Sequence, residues 1–580
     1  MDESRRALSA FPARSLAVPG TLHASLMARL DRLGLASKKI AQVGAVIGRE
    51  FSYEMLAAVA EQTEADLHDA LRRLVHAGLV FQHGVPPQAT FQFKHTLVGD
   101  AAYSTLLRGQ RQALHRQVGA ALEIGFPEIV ETQPEILAHH FTEGGLADSA
   151  VGYWLRAGKN ATTRSANLEA IGHLRRGIEV VGHLPAGASR DQLELDLQFV
   201  LGPCLIATQG PIADAALTTF ERARELCNRL QEPPEQLNVL YWLAVMRGVR
   251  GELGEALEAT QAGIDLAKMR ADPPALINFL RGSALALILM GRPAEALART
   301  EEAVATFDCS DDRTRIASRA AGQDAGVAGR AVMAWALWFL GYPDRATKAM
   351  AACLDRANEI SHPHTQAYAL YYASILSALR RELAAARSYS ERCLSLSEQH
   401  GFGLWRNLAR VVCAICTSLL DPSSAQLEEA QAELNDHAQR GQRMGITALY
   451  ALLCRALIEQ RPAALSDAIG AAQKIGRETS ELLFEAEFYR LKARSLLIDG
   501  PSYERSSAGT ILEQALSVAR SQGARSMELL IARDLANLWG KQGRRGKARD
   551  LLAPVYGWFT EGFDTPDLKE VKALLEALNA

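Results

Sequence analysis

The stretch Gly251–Ala267, GELGEALEATQAGIDLA, decides the fold. It opens on a turn residue, places Ala256 five positions on, and continues as an apolar-striped helix. The phrase returns forty residues later, as Gly291 with Ala296 in GRPAEALARTEEAVATF. It recurs at Gly341 with Ala346, at Gly543 with Ala548, and at Arg381 with Ala386, where an arginine holds the turn slot. Each copy follows a helix-length apolar segment such as FLRGSALALILM or AVMAWALWFL. Two antiparallel helices need a turn between them and a small residue where they cross, so the phrase marks a helical hairpin. Weaker copies lie in EGGLADSAVGYWLRAG, ANLEAIGHLRRGIEVV, RPAALSDAIGAAQKIG and GTILEQALSVARSQG.

One hairpin cannot bury its apolar face alone. Stacked hairpins share a continuous core and form a curved solenoid, whose inner surface is expected to be a groove for a peptide or a partner domain. The forty-residue spacing exceeds the roughly 34 residues of a strict tetratricopeptide repeat, which predicts longer helices or turns.

Length and composition fit this picture. A chain of 580 residues is too long for one compact domain. Charged residues make up 22% and apolar ones 48%, which excludes wholesale disorder. A net charge of −3 argues against a generally basic nucleic-acid binder. The start, MDESRRALSAFPARSLAVPG, has no apolar run after Arg5 and Arg6 and is not a signal peptide. The longest uncharged apolar stretches, such as AVMAWALWFLGYP, are shorter than a membrane span, so a soluble cytoplasmic protein is expected. The eight cysteines are scattered. Cys413 and Cys416 are close but lack a second pair at zinc spacing, and RVVCAICTSLL reads as a buried helix.

The first hundred residues have another texture. Leu22, Leu26, Leu30 and Leu33 share a helical face that ends at Gly34. Ile40, Val43 and Ile47 follow at helical spacing up to Gly48. SYEMLAAVA is a shorter helix for Ser52 to cap. Thr63-x-x-Asp66 is a capping signature for a helix striped by Leu67, Leu71, Leu74 and Val75 and stopped at Gly78. LVFQ and TFQFKH then flank the loop HGVPPQA, the pattern of a β-hairpin. Helices followed by a hairpin is the order of a winged helix, with Leu71, Leu74, Leu79, Phe81, Phe91 and Phe93 as its core. The expected fold class is therefore all-α with one small β-hairpin. A winged-helix-like domain spans 1–95, linker helices and first hairpins 96–185, and a tetratricopeptide-like solenoid 186–580. A winged-helix transcription regulator with a repeat sensor is the alternative, although Arg72 and Arg73 make a sparse basic stripe for DNA.

The segments VPGTLHASLMARLDRLG, IAQVGAVIGREFSYEML, LRRLVHAGLV and FQFKHTLVGDAAYSTLLRGQRQALHRQVGAALE carry a resemblance, joined near the C-terminus by ARDLLAPVYGWFTEGFDTPDLKEVKALLEAL. They resemble the part after the ATPase core in large bacterial signalling proteins. Those proteins combine a class III adenylate/guanylate cyclase domain, a STAND-type ATPase domain and a tetratricopeptide array. The departure is as informative as the match. The phosphate-cradling motif G-x-x-x-x-G-K-[ST] is absent. The nearest miss, GYWLRAGKNA, has the wrong spacing after Gly152 and puts Asn160 after Lys159. The resemblance thus implies the C-terminal, regulatory portion of such a protein, neither ATPase nor cyclase by itself, whose partner is a cyclase or ATPase domain. An adenylate-cyclase label would be inherited by a fragment. It also implies one cofactor-binding candidate, His95, as a nucleotide sensor if an ATPase domain is supplied in trans, with Lys94 adding positive charge. The bland counterpart is that His95 ends the second wing strand and caps or packs on the next helix.

Other constellations are weak. His95, Asp100 and Ser104 have the residue types of a triad, but His95 precedes the helix that carries the other two, and no glycine-flanked nucleophile elbow is present. Tyr103, Leu106 and Leu107 read as core. His139 and His140 are adjacent on a helix and should point apart, against a metal site. Trp335 and Trp338 read as helix packing, with groove lining the alternative. No catalytic residue, metal site or bound cofactor is expected. The expected function is a non-enzymatic regulatory scaffold that binds protein or peptide partners through the solenoid groove, without nucleic acid or membrane.

Overall fold

Short strands alternate with helices at the start of the chain. In the computed structural model, residues 20–231, 233–319, 323–421, 426–499 and 507–579 are described, and they fall into two compact units divided between Pro233 and Pro234. The first unit opens with α1 (Gly20–Arg32), α2 (Gly34–Ile47), β1 (Glu50–Ser52), α3 (Tyr53–Val59), α4 (Glu64–His76), β2 (Val80–His83) and β3 (Thr90–Phe93). The strands form one antiparallel sheet in the order β1-β3-β2, with Phe51 opposite Phe91. Local chemistry sets the helix starts. The Ser52 hydroxyl accepts the Met55 N–H at 3.1 Å and the Thr63 hydroxyl accepts the Asp66 N–H at 3.3 Å. Leu30, Ile40, Leu56, Leu74, Phe91 and Phe93 fill the core between helices and sheet.

Two expectations need correction here. The hairpin gains a third strand, β1, whose three residues are too few to show a period. Phe81 is not core: it is 47% exposed, with Lys94 Nζ 5.4 Å from its ring. Alternation along β2 turns Val80 inward and Phe81 outward. The Leu22 side chain and the first nineteen residues lie outside the described residues.

Next come α5 (Thr96–Ser104) and α6 (Arg108–Gly125). The helices Pro134–Glu143, Ala147–Thr163, Asn167–Val181, Ala188–Gln209 and Asp214–Arg229 then stack in chain order, each on the next.

The second unit is built of helix pairs, from Gln236–Arg250 with Leu253–Met269 to Arg525–Lys541 with Arg545–Gly557, followed by Pro566–Asn579. The turn slots behave alike. Gly251, Gly291, Gly341, Arg381 and Gly543 all have φ between 67° and 89°. The amide after each donates to the carbonyl five residues back, as in Glu252 to Arg247 and Tyr342 to Leu337, both at 2.9 Å. This is the left-handed helix stop that glycine favours. The alanine five positions on is buried every time, because the paired helix crosses there. Gly145 with Ala150, and Ser165 with Ala170, repeat the device in the first unit.

Within a pair the two helices differ. Fourteen of the seventeen residues of Pro363–Leu379 are buried, against four of eighteen in Leu383–His400, which follows it across the Arg381 turn. The first helix of a pair is therefore the inner one, and the second is amphipathic with a solvated face.

Candidate functional site

His95 occupies the N-cap position of α5 with extended backbone, φ −133° and ψ 140°. Its side chain is exposed and makes no capping hydrogen bond. Asp100 and Ser104 sit one turn apart on α5, as the spacing predicts, and the Ser104 hydroxyl donates to the Ala101 carbonyl at 2.8 Å.

A polar cluster lies behind this helix, and Tyr103 belongs to it rather than to an apolar core. The Tyr103 hydroxyl meets His115 Nε2 at 3.0 Å, and His115 Nδ1 meets His140 Nδ1 at 2.9 Å. The Arg111 guanidinium stacks 4.3 Å from the Tyr103 ring. His115 and His140 are both buried. Burial, helped by the neighbouring His139 and Arg111, pushes the His115 imidazole down to about 3. Burial and Arg176 push His139 down to about 4, and His140 is held well below the ordinary histidine range. All three are neutral at physiological pH. His139 and His140 do not point fully apart: their rings lie 5.5 Å from each other, and both face His115, at 5.7 and 5.1 Å. His115 was not anticipated, because no local pattern links positions 115 and 140; the packing of α6 on Pro134–Glu143 brings them together. Among the described residues no group of three His, Cys, Asp or Glu is placed to hold a metal ion.

The inner helices of the second unit carry a belt of aromatic rings. Trp335 Nε1 donates to the Tyr372 carbonyl at 3.3 Å, Tyr368 stacks on Tyr372 at 4.5 Å, and Tyr371 lies 5.6 Å from Trp405. Trp335 and Trp338 are 3% and 4% exposed, so they pack rather than line an open groove. The unit also winds back on itself. The Leu482 and Leu483 amides donate to the Leu289 carbonyl, Arg443 N donates to Val249 O at 3.0 Å, and Glu561 accepts the Asp344 and Arg345 amides. Turns of the first hairpins thus rest on turns of the last ones.

A chain of alternating charges joins the later hairpins. Arg455 and Arg490 hold Glu487 at 2.6 and 2.7 Å, Arg490 reaches Asp534 at 2.8 Å, and Arg533 binds Glu570 at 2.6 Å. Arg381 reaches the same Glu570 at 2.7 Å and Asp567 at 3.1 Å. Glu487 is fully buried, yet its two arginines outweigh that burial and hold its carboxyl far below the usual range. Elsewhere the Glu481 carboxylate caps Ile446–Gln460 by accepting the Gly445 and Thr447 amides and the Thr447 hydroxyl. Burial outweighs those bonds and raises Glu481 to about 7.

The buried thiols are poor nucleophiles. Burial raises Cys353, Cys393 and Cys416 to about 12, so they stay protonated at neutral pH. Cys416 is buried on Gly403–Leu420, in keeping with the CAIC segment as a packed helix. On the outer side, a cleft of about 290 Å³ runs between Pro343–Ile360, Pro363–Leu379 and Leu383–His400, edged by Asn358, Gln366, Arg392 and Gln399. Among the described residues no helix is long and apolar enough to cross a membrane.

No family model matches the chain. It is 25% identical over 524 residues to a protein of Rhizobium meliloti (strain 1021) called Uncharacterized protein R02095, covering 87% of this chain and 48% of the relative. The chain therefore spans about half the length of the curated relative it matches. Among solved structures, it is similar to the STAND protein with a tetratricopeptide repeat sensor PH0952 from Pyrococcus horikoshii, with a TM-score of 0.37 and 12% identity. That match covers 83% of this chain and 68% of the other. A Rap protein complexed with competence and sporulation factor matches with a TM-score of 0.37 and 11% identity over 74% of this chain and 99% of its own. Yeast Tom70 matches with a TM-score of 0.32 and 11% identity, over 74% of this chain and 96% of its own.

Proposed function

We propose that this chain is a cytoplasmic, non-enzymatic regulatory scaffold that binds a protein or peptide segment on its hairpin solenoid. The observation that carries the reading is the repeated hairpin turn, a left-handed residue with a buried alanine five positions on, at five sites in the second unit. Arrays of such hairpins present long surfaces for partner segments. The helix order and the three-stranded sheet of the first module support a winged helix over 1–95, followed by linker helices and first hairpins over 96–185 and the solenoid over 186–580. By the family resemblance of its sequence, the partner includes a cyclase or ATPase domain. His95 is then the residue that faces the nucleotide of an ATPase domain supplied in trans, and its exposure leaves it available for that contact.

The transcription-regulator reading is disfavoured by α4, which carries Glu64, Asp66 and Asp69 against Arg72 and Arg73. Asp69 takes Arg73 at 2.7 Å, which leaves little net charge for phosphates.

The test is a retention assay on the immobilised full chain with a randomised dodecapeptide pool, beside ATP hydrolysis and duplex DNA binding at two salt concentrations. The expected result is selective peptide retention, no hydrolysis and no salt-dependent DNA binding. ATP turnover by the purified chain, or failure to retain any peptide, contradicts the proposal.

A further inference from the structure

Arg281, on the inner helix Pro273–Leu289, is a buried cation with no acid paired to it among the described residues. It is 8% exposed, its Nε has no acceptor, and its Nη1 makes a long hydrogen bond to Gln323 Oε1 at 3.4 Å. The contrast with Arg490 is sharp: that residue is as buried, and Glu487 and Asp534 neutralise it. A buried charge left unpaired is costly, and a fold that keeps one normally has a counter-charge for it.

The neighbours of Arg281 are hydroxyls in the same condition. Burial raises the Tyr241, Tyr368 and Tyr372 phenols; the Arg281 charge pulls each back down, and the guanidinium also reaches the Tyr241 and Tyr368 oxygens. The Tyr241 and Tyr368 hydroxyls are buried, and neither completes a hydrogen bond of good geometry among the described residues. The same is true of Asn278 Oδ1, about one helical turn before Arg281. Tyr241 stands on Gln236–Arg250 and is only half-buried, which gives the cluster a solvent side.

We propose that Arg281, Tyr241 and Tyr368 form a binding site for a carboxylate carried by the bound peptide segment. The inference rests on the peptide-binding reading above and names the chemistry it selects. A guanidinium offers paired N–H donors matched to a planar carboxylate, and one cation matches one negative charge; a phosphate dianion calls for a second cation. The two phenols add O–H donors, and Asn278 Oδ1 supplies an acceptor for the peptide N–H beside the carboxylate. The carboxylate comes either from the C-terminus of the segment or from an Asp or Glu side chain.

Three randomised hexapeptide pools separate these cases on the immobilised full chain. One has free C-termini and no Asp or Glu, one has C-terminal amides and no Asp or Glu, and one has C-terminal amides with Asp and Glu included. At least one carboxylate-bearing pool should be retained about ten-fold over the pool without carboxylates, the size of one charge-assisted hydrogen bond. Which acidic pool is retained identifies the source. Arg281→Met should abolish the preference and Arg281→Lys should reduce it, with melting temperature as the check on folding. Tyr241→Phe, at a half-exposed site, should weaken it if Arg281→Met fails to fold. Equal retention of all three pools overturns the carboxylate site and leaves the peptide-binding reading standing. Retention of no pool overturns both. A preference unchanged in a folded Arg281→Met overturns the assignment to this residue.

Discussion

Glu487 and Arg381 show how single residues hold the later hairpins together. Glu487 has no exposure and takes two arginines, so removing its charge leaves Arg455 without an acid and Arg490 with Asp534 alone. Glu487→Gln should therefore destabilise by about 3–5 kcal/mol in a denaturant titration. A loss below 1 kcal/mol would mean that the arginines find other partners. Arg381 accepts a left-handed turn at φ 67°, where its sister hairpins place glycine, at a cost of roughly 1–2 kcal/mol. Its guanidinium reaches Asp567 and Glu570, which accounts for an arginine in that slot. The odd residue was legible in the sequence; its partners, 186 and 189 positions away, were not. The same holds at the candidate sites. His95 was found by resemblance, whereas His115 and Arg281 carry no local motif and acquire their meaning only from burial beside particular neighbours.

At the scale of elements, the hairpin turn makes a graded prediction. Gly341 and Gly543 both have left-handed backbone, but a Cβ at Gly341 would meet Trp558 at 2.6 Å, while one at Gly543 meets nothing within 4 Å. Gly543→Ala should cost about 1 kcal/mol, the strain of the turn alone. Gly341→Ala should cost more, by about 1–3 kcal/mol of overpacking. Equal losses would show that the turn of Gly341 is not pressed against the later hairpin. These turns were readable in advance because both requirements, a left-handed residue and a small one at the crossing, are local. β1 was not readable because a three-residue strand has no period, and Phe81 was misplaced because its strand is too short to show which face is inward.

Across the whole molecule the two units should respond to acid differently. In the first, His115, His139 and His140 are held neutral, with Tyr103, Arg111 and Arg176 around them. Their folded pKa values lie below the unfolded value of about 6.5. Between pH 6.5 and about 4 the unfolded chain takes up protons that the fold refuses. Stability therefore falls as pH drops, by up to about 1.4 kcal/mol per pH unit for each imidazole. His140→Phe should flatten that slope, read by hydrogen exchange of Arg108–Gly125 across the pH range; an unchanged slope would contradict the buried pair. Glu481 has the opposite sign. Its raised pKa gives the second unit stability that is complete below about 4.5 and is lost as pH rises through about 7. The stacking of hairpins was legible from their repetition, but the winding of the second unit onto itself was not. Contacts such as the Asp344 amide with the Glu561 carboxylate join positions 217 apart, and their donor is a backbone group that any sequence provides.

The central claim, that the inner helices of the second unit receive a peptide segment, is tested most directly by hydrogen exchange. The full chain would be measured with and without a peptide taken from the retained pool. The account predicts protection on Gln236–Arg250, Pro273–Leu289 and Pro363–Leu379. Protection confined to the outer helices or to the N-terminal sheet, with these three unchanged, would contradict it.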